Sequence, residues 1–187
     1  MATYYKPGSG TPRSKMLPGD IFINNNTFSP SHCGIVVNGL DVVHATNKAM
    51  RIDDVDLWGA DADIFRPATP LTGPEATRIT EIAMEIHNSA TYGLMRAGLK
   101  STFGSNSAGG GLQKRLDKYR ERLQNHQGVV KHVYCSELVI LTYQLAWPDN
   151  THRLFIELDG KHTWPSTLRR YLRNSANWQE MGEYKKA

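Results

Sequence analysis

An α+β fold is predicted for this chain, a small antiparallel sheet packed against helices, and three observations predict it. Between positions 17 and 66, short apolar or alternating runs are separated by turn residues, the pattern of β-strands. From position 74 onward apolar residues instead recur three and four apart, the spacing of one helix face. The length, 187 residues, suits a single domain spanning the whole chain, with a core that needs no disulfide or metal.

Residues 1–17 are rich in Gly, Pro, Ser and Lys and read as a loose arm. Ile21-Phe22-Ile23 reads as a short buried strand, Asn24-Asn25-Asn26 as a turn, 34–37 as a second strand and 41–46 as a third. Asn38-Gly39 between the last two marks a hairpin. Residues 49–52 and 62–66 complete the sheet of the first third. A helix follows from Pro74 to about Leu99, with Ile79, Ile82, Ala83 and Ile86 as its apolar stripe behind a proline start. A Gly/Ser/Asn loop at 104–111 leads to a second helix, apolar at Leu112, Leu116, Tyr119 and Leu123 and basic at Lys114, Arg115, Lys118, Arg120 and Arg122. A third helix starts at or just before Cys135, carries Leu138, Val139, Leu141, Thr142 and Leu145, and is stopped by Pro148. Trp164-Pro165 opens a short basic helix, and residues 178–184 return as a last strand.

Hydrophobic residues at 40% and charged residues at 21% describe an ordinary globular chain rather than a disordered one. A net charge of +4 favours an anionic surface or polymer and does not by itself indicate nucleic acid. No apolar run approaches the roughly 18 residues of a membrane helix, so no stable membrane insertion is expected. The first residues lack the apolar core of a secretory leader, so the expected route is synthesis in the cytoplasm and delivery by a system that does not read one. Two cysteines, Cys33 and Cys135, cannot form a disulfide framework and lack the paired spacing of a zinc ribbon.

What stands out is a set of side chains from distant segments. Cysteine attacks as a thiolate, and thiol chemistry needs an imidazole close by with a third polar group to hold it. Cys135 at a helix start lies in the positive end of the helix dipole, which favours the thiolate. His32 and His44 lie twelve positions apart across the hairpin. A two-residue turn at Asn38-Gly39 would point them to opposite sides of the sheet. A three-residue loop over Asn38, Gly39 and Leu40, or a bulge there, pairs Val37 with Asp41 and brings both histidines to one face. An odd loop is therefore predicted. By the same alternation Cys33 faces away from His32 into the core, where packing is its expected role. The plain alternatives are a buried structural Cys135 and a histidine that only packs at a strand start.

With those residues in view, the chain resembles a circularly permuted member of the NlpC-type papain-like superfamily, the branch that includes lecithin:retinol acyltransferase and YiiX-like proteins. The matching pieces are Leu17-Pro18-Gly19-Asp20-Ile21-Phe22-Ile23, His32-x-Gly34-Ile35, Val42-Val43-His44, Tyr134-Cys135-Ser136-Glu137-Leu138-Val139 and Trp164-Pro165-Ser166-Thr167-Leu168. The resemblance covers about half the chain, and residues 74–132 have no counterpart in it. It implies a permuted papain-like fold in which the sheet packs on a catalytic helix, with 74–132 as a helical insertion that shapes substrate access. It further implies Cys135 as nucleophile, His32 as general base and His44 as the orienting third residue, with Asp41 as fallback orienter and Tyr134 and Ser31 as site-lining candidates.

The reaction so implied is acyl transfer through a thioester, with water as the usual acceptor and no cofactor or metal. The favoured substrate is an amide bond in peptidoglycan peptides, cut by an injected antibacterial effector of the type VI secretion kind that is paired with an immunity protein. The alternative is a lipid or small-molecule acyl hydrolase or acyltransferase. From another class come a zinc module using His32, His44, His132 and Cys135, and a non-catalytic binding protein. Nucleic acid is not an expected partner, because no aromatic array on a basic sheet is present.

Overall fold

The computed structural model describes residues 16–24, 32–39, 41–55, 58, 61–92, 110–125, 127, 130, 132–147 and 149–184. The arm at 1–15, the turn residues Asn25 and Asn26, Ser31, and the loop at 104–109 lie outside the described residues. The architecture is α+β. Strands β1 (Ile21–Asn24), β2 (Cys33–Val36), β3 (Asp41–Ala45), β4 (Met50–Asp54) and β5 (Ala62–Pro67) come first. Helix α1 (Gly73–Ser89), strand β6 (Thr91–Tyr92), helix α2 (Gly110–Gln124) and strand β7 (His132–Val133) follow. Helix α3 (Cys135–Ala146), a 3-10 turn (Gly160–His162), helix α4 (Pro165–Asn174) and strand β8 (Trp178–Tyr184) complete the order.

The main sheet has six strands in the order β4-β3-β2-β1-β5-β8, every neighbouring pair antiparallel. Side chains alternate between its faces. Ile21, Ile23, Cys33, Ile35, Val43, Ala45 and Phe65 join the core shared with the helices, whereas Phe22, Val36, Val42, Ile64 and Tyr184 form a second cluster with Trp58. Covering both faces is why Ile21-Phe22-Ile23 reads as an unbroken apolar run. α3 is buried along all twelve residues and is the central helix, packed against α1, β2 and β3. α1 belongs to the same core through Ile79, Ile82, Ala83 and Ile86.

α1 begins with a reciprocal capping box between Thr72 and Glu75, with Pro74 in its first turn. It ends at Ser89 rather than near residue 99. His87, Asn88 and Ser89 are poor helix formers, and the Ser89 hydroxyl donates to the Glu85 carbonyl at 2.7 Å, competing with the backbone ladder. Ala90 turns extended, and Thr91–Tyr92 pairs in parallel with His132–Val133. That pairing leads the chain directly into Tyr134 and Cys135.

The Leu17-Pro18-Gly19-Asp20 turn anchors the other side of α3. The Asp20 carboxylate accepts from the Leu17 N–H at 2.9 Å and from the Arg66 guanidinium at 2.7 and 2.6 Å, while the Tyr143 hydroxyl donates to the Gly19 carbonyl. Gly19 has φ +91°, and a Cβ there would lie 2.7 Å from Leu71 Cδ1, so any other residue would be strained at this turn. Among the described residues no helix is long and apolar enough to cross a membrane.

Candidate active site

The β2–β3 hairpin decides whether the histidines can meet. Gly34 pairs with His44 and Val36 with Val42, and the Val37 N–H donates to the Asp41 carbonyl at 2.9 Å. The connection therefore spans 38–40, the odd loop expected, with Gly39 at φ +85° and Leu40 outside the described residues. Asn38 closes it: its carbonyl oxygen accepts from the Asp41 N–H at 3.0 Å and its amide donates to the Asp41 carboxylate at 2.7 Å. Asp41 is thus committed to the turn, about 10 Å along the strand from His44, and is no orienting residue for the histidines.

His32 and His44 come together on one face, with His32 Nε2 2.8 Å from His44 Nδ1 and the rings edge to face. Gly34 makes this possible. A Cβ at that position would lie 2.6 Å from Val42 Cγ1 and 3.0 Å from His44 Cβ, pushing β3 and its imidazole away. Trp58 stacks on His32 at 5.2 Å between ring centres and also touches His44, and its N–H donates to Asn24 Oδ1 at 2.9 Å. The indole shields the histidine pair from water.

Beyond His44 the contacts continue to a residue that sequence reasoning missed. His44 Nε2 lies 2.9 Å from Asp53 Oδ2, and Arg51 donates to Asp53 Oδ1 at 2.8 Å. The β3–β4 register pairs His44 with Arg51 and Val42 with Asp53, so all four share one face. Arg51 and Asp53, two apart in an alternating strand, are the signal that could have found it. His44 is held below the ordinary imidazole range, first by burial and then by the His32 charge, against the opposing pull of Asp53.

Cys135 is the first residue of α3, with Tyr134 as its cap in extended conformation. Its thiol is held well below the ordinary range by a hydrogen bond from the Cys33 thiol and by the hydrogen bond and charge of His32, which together outweigh burial. Cys33 does face the core, as alternation requires, but there it meets Cys135, which corrects the expectation that it only packs. Burial pushes the Cys33 thiol well up, so it stays protonated and can donate. His32 precedes the first residue of β2, so its ring at the strand end and Cys33 on the helix-facing side both reach the start of α3. Both cysteines are free.

The remaining candidates have other duties. The Tyr134 hydroxyl donates to the Gly160 carbonyl, and the Ser136 hydroxyl donates to the Thr163 carbonyl at 2.5 Å. These bonds stitch the 160–163 segment to the first turn of α3 and leave Trp164 46% exposed beyond it. Tyr134 is therefore a clamp, its phenol pushed up by burial and the nearby Glu137. Ser31 lies outside the described residues. Among the described residues no group of three or more His, Cys, Asp and Glu side chains is arranged to hold a metal ion, and both ring nitrogens of His44 are already engaged. The zinc grouping with His132 therefore lacks a ligand set.

Comparison of the chain with family models, with curated proteins and with solved structures finds no match.

Proposed function

We propose that this chain is a cysteine hydrolase of the permuted NlpC-type papain-like kind, cutting amide bonds in peptidoglycan peptides. One observation carries the reading: a thiol at a helix N-terminus, its pKa depressed, in contact with an imidazole whose other nitrogen is tied to a second ring. The order of elements supports it too, since an antiparallel sheet bearing the histidines packs on the helix that begins with the cysteine.

In this mechanism the Cys135 thiolate attacks the scissile carbonyl carbon, and the C=O pair moves onto oxygen. The N-terminus of α3, where backbone N–H groups and the positive end of the helix dipole face the thiol, receives that oxyanion. Protonated His32 gives its proton to the leaving amine as the C–N bond breaks, leaving an acyl thioester on Cys135. His32 then takes a proton from water, whose oxygen attacks the thioester carbon. The acid departs and the thiolate returns.

An anionic wall polymer suits a chain of net charge +4 with Lys114 and Lys118 exposed on α2. The test is digestion of purified peptidoglycan followed by mass analysis of the released fragments, beside a parallel incubation with fatty-acyl esters. New amine and carboxyl ends in the wall peptides support the proposal. Turnover of the esters alone replaces it with the lipid acyl hydrolase reading. Iodoacetamide should abolish activity and a chelator should leave it intact. The biological setting, delivery into a rival's periplasm by a type VI system with an immunity protein guarding the producer, is tested by directing the chain to the periplasm. Lysis there that requires Cys135, and none from the cytoplasm, is the expected result.

A further inference from the structure

A thiol–imidazole pair does not need Asp53, yet its carboxylate lies at the end of an unbroken line of short contacts. His44 Nε2 is 2.9 Å from Asp53 Oδ2, and His44 Nδ1 is 2.8 Å from His32 Nε2. Each contact requires one proton between its two atoms. An ionised carboxylate paired with Arg51 only accepts, so the proton of the first contact belongs to His44 Nε2. A neutral imidazole carries a single N–H, and burial together with the charge on His32 keeps His44 neutral. Its Nδ1 is then a lone pair, and the proton of the second contact belongs to His32 Nε2. On His32 only Nδ1 remains for the thiol.

We propose that Asp53 is a positioning residue for the reacting pair: by holding the proton on His44 Nε2 it fixes the His44 tautomer, ties the His32 Nε2–H to the His44 Nδ1 lone pair and leaves His32 Nδ1 facing Cys135. The groups facing His44 are His32 from the start of β2 and Arg51 and Asp53 from β4, with Trp58 over both rings. Cys135 from α3 faces His32. The inference rests on the Cys135–His32 pair of the preceding section, not on the identity of its substrate.

The experiment needs no substrate. In protein labelled with 15N histidine, nitrogen shifts at pH 7 should show His44 protonated at Nε2 and bare at Nδ1. A proton on Nδ1, or on both nitrogens, overturns the proposal. Asp53→Asn can donate as well as accept, so it releases the lock while keeping the shape. Its Cys135 should follow an iodoacetamide rate–pH curve whose midpoint is moved up by about one unit, so that the rate on the acidic side of that midpoint falls about tenfold. Asp53→Glu should recover most of the rate, which a merely structural role does not predict. An Asp53→Asn protein with the wild-type curve sinks the idea, and if that variant does not fold the wild-type nitrogen shifts still decide it. A wild-type Cys135 alkylated like an ordinary thiol would instead refute the reacting pair itself. Failure to cut peptidoglycan touches neither result.

Discussion

Two lines of polar side chains serve the same sheet, and they are made of different chemistry. On the β1, β5 and β8 side, Asp20 takes both arms of Arg66, and Asp63 receives Arg169 and Arg173 at 3.0 Å each, with Arg173 reaching on to Glu180 at 2.6 Å. On the β2, β3 and β4 side the line runs through Cys135, His32, His44 and Asp53. Guanidinium groups do not give up their protons, so the first line is permanently charged and can only hold strands together. Imidazoles and a thiol can each hold or release a proton, so the second can pass a proton along it. Only the second line is made of groups that can exchange protons with one another.

The comparison predicts that the two lines fail in different ways. Cys135→Ala should lower turnover by about a thousandfold or more with little change in melting temperature, and His32→Ala should do nearly the same, since the pair acts as a unit. Thermal unfolding beside an assay of purified variants reads both. Arg66→Met, in the charged line, should do the reverse. It leaves the Asp20 carboxylate buried without its partner and should cost about 3–5 kcal/mol of stability by denaturant unfolding, with activity per folded molecule retained. A loss of activity without a loss of stability there would erase the distinction.

Smaller effects sharpen it. Cys33→Ala removes the thiol that donates to Cys135, so the midpoint of the iodoacetamide rate–pH curve should move up by about one unit, with a roughly tenfold slower rate on its acidic side. The smallest effect is a pH slope. His44 lies below the ordinary 6.5 in the folded protein, so below that pH the unfolded chain binds the extra proton first. Stability should be full above pH 6.5 and decline as pH falls through the folded value, and His44→Gln should flatten that decline in urea titrations across pH.

Much of this was readable in local pattern. Alternation and turn chemistry placed β1, β2, β3, β5 and β8, and the parity argument at Asn38-Gly39-Leu40 foresaw the hairpin register because a strand has a period of two. The apolar run placed the start of α3 at or just before Cys135, and Pro148 placed its end. The end of α1 did not. The stripe at Ile79, Ile82 and Ile86 locates a helix but not its last turn, which here yields to a parallel pairing with residues 132–133. Asp41 was a reasonable orienter only while its neighbour Asn38 was read as turn material and nothing more.

By itself the sequence determined the class of fold, the strand parities that align the histidines, and the thiol at a helix start, because each depends on residues a few positions apart. Tertiary structure alone decided that Asp53 lies behind His44, that Trp58 covers both rings, and that the Cys33 thiol touches Cys135. The Cys33–Cys135 contact joins a strand and a helix far apart in the chain, and the other two depend on pairing between neighbouring segments. They depend on how α3 settles on the sheet and how β4 is registered on β3, and the side chains that fix that docking are spread through the whole core.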